Sequence, residues 1–135
     1  MKNKTFWYFI GALTLFRLIY IYFLPLIPQE AYYWYYAQKP ALSYFDHPPM
    51  AAYSIWLGTK LFGNTVFGVK FMAVIWALLT NILLYFTILE TAGRKETQTA
   101  FAGVVLYNLT VFAHIYALLI APDVPLMFFW LLVVY

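Results

Sequence analysis

The sequence predicts an all-α membrane protein, and three observations predict it. Hydrophobic residues make up 65% of the 135-residue chain and charged residues only 10%, against about 45–50% and about 25% in soluble domains. The apolar residues fall in long runs of membrane-spanning length. The aromatic share is 23%, with 13 tyrosines and 5 tryptophans, side chains that favour membrane–water interfaces. The expected architecture is three full transmembrane helices plus a truncated fourth, with interfacial helices in the first outer loop.

Residues 6–27 form the first span. Arg17 is its only charge, and as a helix the run reaches roughly 33 Å. No small-residue cleavage site follows it, so it reads as a retained helix and not a signal peptide. Residues 28–64 mix Gln29, Glu30, Asp46, His47 and Lys60 with prolines and many aromatics, a composition suited to a loop lying at the interface. Tyr32, Tyr33, Trp34, Tyr35 and Tyr36 stand in a row. Pro48 suits the first turn of a helix running to about Leu61, which Gly63 and Asn64 end. Residues 65–89 form the second span, with Lys70 near its start. A polar turn carrying Arg94, Lys95 and Glu96 leads to the third span, 98–120. After Ala121, Pro122 and Asp123, residues 124–135 begin a fourth. That run would be roughly 18 Å long, short of a hydrocarbon core of about 30 Å. The chain therefore reads as the N-terminal part of a larger multi-span protein, and this part alone is expected to be inactive.

Lys2, Lys4, Arg94 and Lys95 flank one side of these spans, and Lys39 and Lys60 the other, with Lys70 near it. The excess places the N-terminus in the cytoplasm and the 28–64 loop and 121–123 turn on the outer side. Eight basic residues scattered over so apolar a chain form no phosphate-tracking patch, so nucleic acid is not an expected partner. With no cysteine, disulfides and thiolate metal sites are excluded.

Among five acidic residues, Glu30, Asp46 and Asp123 all map to the outer face. Each has a structural reading: Asp46 and Asp123 as caps of the helices that follow, Glu30 as a first-turn acid near a helix dipole. Together with His47 on one membrane surface they point to a used site. As hard oxygen donors, Glu30, Asp46 and Asp123 are candidate ligands for Mg²⁺ or Mn²⁺, and His47 adds an affinity for Zn²⁺. Arg17, half-way along its span, should face other helices. Lys60 is placed to snorkel or to bind a lipid phosphate. His114 reads as a packing or polar-pair residue. Asn108-Leu109-Thr110 matches a glycosylation sequon but lies inside the third span, which sets it aside.

Pro28-Gln29-Glu30-Ala31-Tyr32-Tyr33-Trp34, then Tyr44-Phe45-Asp46-His47-Pro48-Pro49, then Ala121-Pro122-Asp123-Val124-Pro125 resemble glycosyltransferase family 39. These are C-type membrane glycosyltransferases similar to protein O-mannosyltransferases and lipid A aminoarabinose transferases. The resemblance covers about residues 10–135. It implies transfer of a sugar from a polyprenyl-phosphate carrier to a lipid or protein acceptor on the outer face. It also implies catalytic roles for Glu30, Asp123 and Asp46. Gln29, His47, Lys60, Tyr32 and Tyr33 are implied to bind substrate, with Lys60 facing the carrier phosphate. The family's first acid is Asp, and Gln29 stands there, so Glu30 is the leading acid expected in this chain.

Two other readings compete. A non-catalytic module that holds a polyprenyl-phosphate lipid is favoured by Gln29. A transporter or flippase would also bury charges in its spans, but no Gly- or Pro-broken span is visible in the sequence.

Overall fold

The structure, a computed structural model, describes residues 3–135; Lys2 lies outside them. Among these residues every regular element is a helix: α1 Lys4–Phe23, α2 Pro28–Ala37, α3 Met50–Phe62, α4 Val66–Ala92, α5 Thr97–Leu109, α6 Val111–Tyr116 and α7 Asp123–Val134. Two of them, α1 and α4, are long and apolar enough to cross a membrane. Along α1, Leu15, Phe16, Ile19, Tyr22 and Phe23 all face outwards and are more than half exposed. A soluble domain rarely exposes so wide an apolar surface, whereas lipid accepts it.

The first span stops short of its expected end. Leu24 turns to extended backbone at ψ 138°, because a residue before a proline is pushed out of the helical region, and Pro25 follows it. Pro28 then opens α2 as its first residue, where a missing N–H costs nothing. Likewise α3 starts at Met50, later than Pro48, with Pro49 as its N-cap residue. No side chain caps it, so the capping role expected of Asp46 is not realised. Gly63 ends α3 at φ 74°, a backbone region open to glycine at little cost. Thr65 then caps α4 by accepting a hydrogen bond from Gly68 N at 3.0 Å.

The expected third span is two helices. Thr110 takes extended backbone at ψ 137°. Its hydroxyl donates to Tyr107 O at 2.8 Å and accepts from Ala113 N at 3.3 Å. A threonine that supplies both a C-terminal donor and an N-cap acceptor breaks the helix without Gly or Pro. Intact spans are therefore no argument against transport.

Helix α4 is the central post, packing against α1, α3, α5 and α7. Its approach to α3 is very close: a Cβ built on Gly58 would stand 2.2 Å from Gly68 O. One core lies at the α2–α3 end and gathers Tyr33, Ile55, Val69, Ile120 and Val124. A second, at the other end, gathers Phe6, Ile10, Tyr85, Ala100 and Val104. Asn3, which caps α1, also donates to Thr97 O at 3.1 Å. The start of the chain and the turn before α5 thus share one end of the bundle. Between the cores, Arg17 is buried and donates to Asn108 Oδ1 at 2.8 Å, and Asn108 donates to Asn81 Oδ1 at 2.5 Å. Arg17 faces other helices, as a charge within a span must. Buried Asn108 is a network member.

Candidate functional site

The end of the bundle opposite Asn3 holds the sequence-predicted residues. Glu30 lies in the first turn of α2 and is fully buried. Its Oε2 accepts from Lys70 Nζ at 2.5 Å and from Ile27 N at 3.2 Å, and its Oε1 accepts from Ile120 N at 3.2 Å. One carboxylate therefore ties α2, α4 and the segment before α7 together. Lys70, equally buried, carries no role in the sequence reading. The signal available there was a lysine one turn inside an apolar span, which needs a partner.

Asp46 sits in the loop between α2 and α3 and is exposed. Tyr32 donates to both its oxygens, at 2.8 and 2.7 Å, and Tyr36 donates to Oδ1 at 2.9 Å. The two phenols are one helical turn apart on α2, so their hydroxyls reach one carboxylate together. Tyr36 belongs to the site although the sequence reading passed over it. His47 Nε2 lies 3.6 Å from Asp46 Oδ2. The hydrogen bond from Tyr32, followed by that from Tyr36, holds the Asp46 carboxyl below its ordinary range. The Tyr32 phenol, bonded to Tyr36 and Asp46, is pushed above its own. Asp46 is a preorganised, solvent-facing anion.

The loop that carries it is pinned by two more tyrosines. Tyr44 stacks on Tyr36 with ring centroids 4.3 Å apart and donates to Tyr36 O at 3.0 Å. Tyr53 of α3 donates to Ala41 O at 2.7 Å. The interleaved aromatics thus convert a loop into a fixed platform.

Asp123 is half-buried in the first turn of α7, where an acid complements the helix dipole. It lies within electrostatic reach of the Tyr116 hydroxyl. Tyr33 links the two regions. Its ring centroid lies 5.1 Å from that of His47, it packs in one core with Ile120, Ala121 and Val124, and Gln29 Nε2 donates to its hydroxyl at 3.4 Å. Lys60 is exposed in the last turn of α3. His114 is exposed on α6 and packs in neither core. From the middle of the bundle toward its other end, α4, α5 and α7 border an apolar cavity of about 410 Å³ lined by Thr80, Leu84, Tyr107, Met127 and Trp130, among others.

Among the described residues no three His, Asp or Glu side chains gather to hold a metal ion. Glu30 has both oxygens occupied by protein donors. The described residues do not fit a metal centre built on Glu30, Asp46 and Asp123 together.

No curated protein and no solved structure matches the chain. A known family does, over residues 46–135, and the match begins at Asp46 and runs through Asp123. The segment carrying Gln29 and Glu30 precedes it. A match over two thirds of the sequence, on an all-helical chain with an anionic, tyrosine-held site at one end, places the chain in the family described as dolichyl-phosphate-mannose-protein mannosyltransferase.

Proposed function

We propose that the protein transfers a sugar from a polyprenyl-phosphate carrier to an acceptor hydroxyl or phosphate group, on lipid or protein, at the outer face of the membrane. The observation that carries the reading is Asp46, an exposed carboxylate held ionised by Tyr32 and Tyr36 at the first residue of the family match. The chemistry needs such a group. The acceptor O–H passes its proton to the carboxylate as its oxygen attacks the anomeric carbon. The bond from that carbon to the carrier phosphate breaks, and its electron pair leaves with the phosphate. Asp46 is the leading proton acceptor in this reading and Asp123 the second. Glu30 keeps its place in the site as a support, because its lone pairs already meet Lys70, Ile27 and Ile120. Lys60, an exposed cation in the last turn of α3, is the candidate contact for the departing phosphate. Tyr32, Tyr33, His47 and Gln29 line the approach for the sugar. The cavity between α4, α5 and α7 suits an isoprenoid tail.

The competing reading, a module that holds the carrier without turning it over, rests on Gln29, an amide bonded to Tyr33. Membranes containing the protein, supplied with labelled polyprenyl-phosphate sugar or with labelled nucleotide sugar, separate the two. Sugar transfer predicts label moving into acceptor from the lipid donor and not from the nucleotide donor. Donor binding without any movement of label would support the holding module.

A further inference from the structure

The Glu30–Lys70 pair invites explanation, because both side chains are fully buried where two charges are expensive to place. Against an apolar pair of similar size, such a bridge commonly gives no gain in stability, and its best-attested use is to fix register. Here the surroundings say which register. Glu30 Oε1 accepts from Ile120 N and Oε2 from Ile27 N, and the pair sits amid Tyr33, Ile55, Val69, Ile120, Ala121 and Val124. Three segments distant in sequence meet on one carboxylate: the start of α2, the outer part of α4 and the backbone just ahead of Asp123. Apolar contacts alone slide easily against one another. A carboxylate with three fixed donors does not.

We propose that Lys70 is a positioning residue. Paired with Glu30 it forms a net-neutral clamp that sets the 120–123 segment, and with it Asp123, against the tyrosine face of α2. It acts through Glu30 and touches neither the proton in transit nor the carrier phosphate. The statement about segment position stands on the geometry alone, while its consequence for catalysis rests on the transfer reading above.

The chain has no cysteine, so a single reporter can be placed at Pro122, which is partly buried. In Pro122→Cys protein held in membranes, the labelling rate by an impermeant maleimide reports on that segment. Adding Lys70→Met leaves a carboxylate buried without its cation, and labelling should rise at least about tenfold as the segment opens. Adding Glu30→Gln together with Lys70→Met removes both charges, and labelling should stay several-fold above that of Pro122→Cys alone, because apolar contacts by themselves let the segment slide. An unchanged rate in Lys70→Met overturns the clamp. So does a double variant that labels as slowly as Pro122→Cys alone, since packing and not charge pairing would then hold the segment. The transfer assay adds a separate reading. The double variant should lose kcat while KM for the lipid donor and the acidic limb of the pH profile stay put. A folded double variant as inactive as Asp46→Asn would instead make Glu30 a catalytic group and overturn the assignment. If labelling behaves as expected and wild-type protein transfers no sugar, the clamp stands and the transfer reading falls.

Discussion

At the scale of single residues, the site turns on two acids with different partners, Asp46 held by tyrosine hydroxyls and Glu30 by Lys70 and backbone N–H groups. Asp46 faces solvent but is met by the Tyr32 and Tyr36 hydroxyls, which favour its ionised form. The hydrogen bond from Tyr32 is the largest cause of its lowered pKa. With the carboxylate as the active form, a depressed pKa keeps the protein active down to lower pH. Removing the hydroxyl in Tyr32→Phe should therefore raise that pKa and move the acidic limb of kcat/KM to higher pH. A pH–rate profile checks this, and an unmoved limb would show that Asp46 does not set it. Asp123→Asn should lower kcat by roughly 10²–10⁴ if that acid shares the proton, with protein levels unchanged on a membrane blot. The acids themselves were legible in the sequence, because so few charges occur in so apolar a chain. Their division of labour was not. Whether a carboxylate is free or fully bonded depends on Lys70, forty positions from Glu30, and on the Ile120 N–H, ninety positions away. Tyr36 was hidden among five consecutive aromatics, where only the helical spacing from Tyr32 singles it out.

At the scale of elements, proline and glycine placed most boundaries correctly, and the exceptions have local causes. Pro25 shortened α1 by acting on Leu24, and Gly63 ended α3 as its sequence context indicated. The break between α5 and α6 was not legible, because a threonine in an apolar stretch reads as a helix residue until its hydroxyl is seen bonded on both sides. Thr110→Val should remove that cap at a cost of about 1 kcal/mol, seen as a lower Tm in detergent. A larger effect is expected where α3 meets α4. A Cβ on Gly68 would stand 2.5 Å from Gly63 O, and backbone cannot move aside as a side chain can. Gly68→Val should destabilise the hairpin by about 1–3 kcal/mol, with thermal unfolding as the measure. A Tm equal to wild type would contradict the close packing.

At the scale of the whole molecule, polar groups divide the bundle into layers with separate duties. One end is tied by Asn3 to Thr97, the middle by Arg17, Asn108 and Asn81, and the other end by Glu30 and Lys70. This order follows from apolar surroundings, in which each charge must find a partner within the protein. Asn108→Leu should leave the Arg17 guanidinium without its side-chain acceptor and cost about 2 kcal/mol, lowering Tm without altering the acidic limb of the rate profile. At that last end Asp46 is an exposed carboxylate held by Tyr32 and Tyr36, and the family match begins there. The most direct test of the account compares wild-type and Asp46→Asn protein at equal levels in membranes, following labelled sugar from polyprenyl phosphate into acceptor. The account predicts transfer by wild type and a loss of at least about a hundredfold in the variant. Equal transfer by both would contradict it.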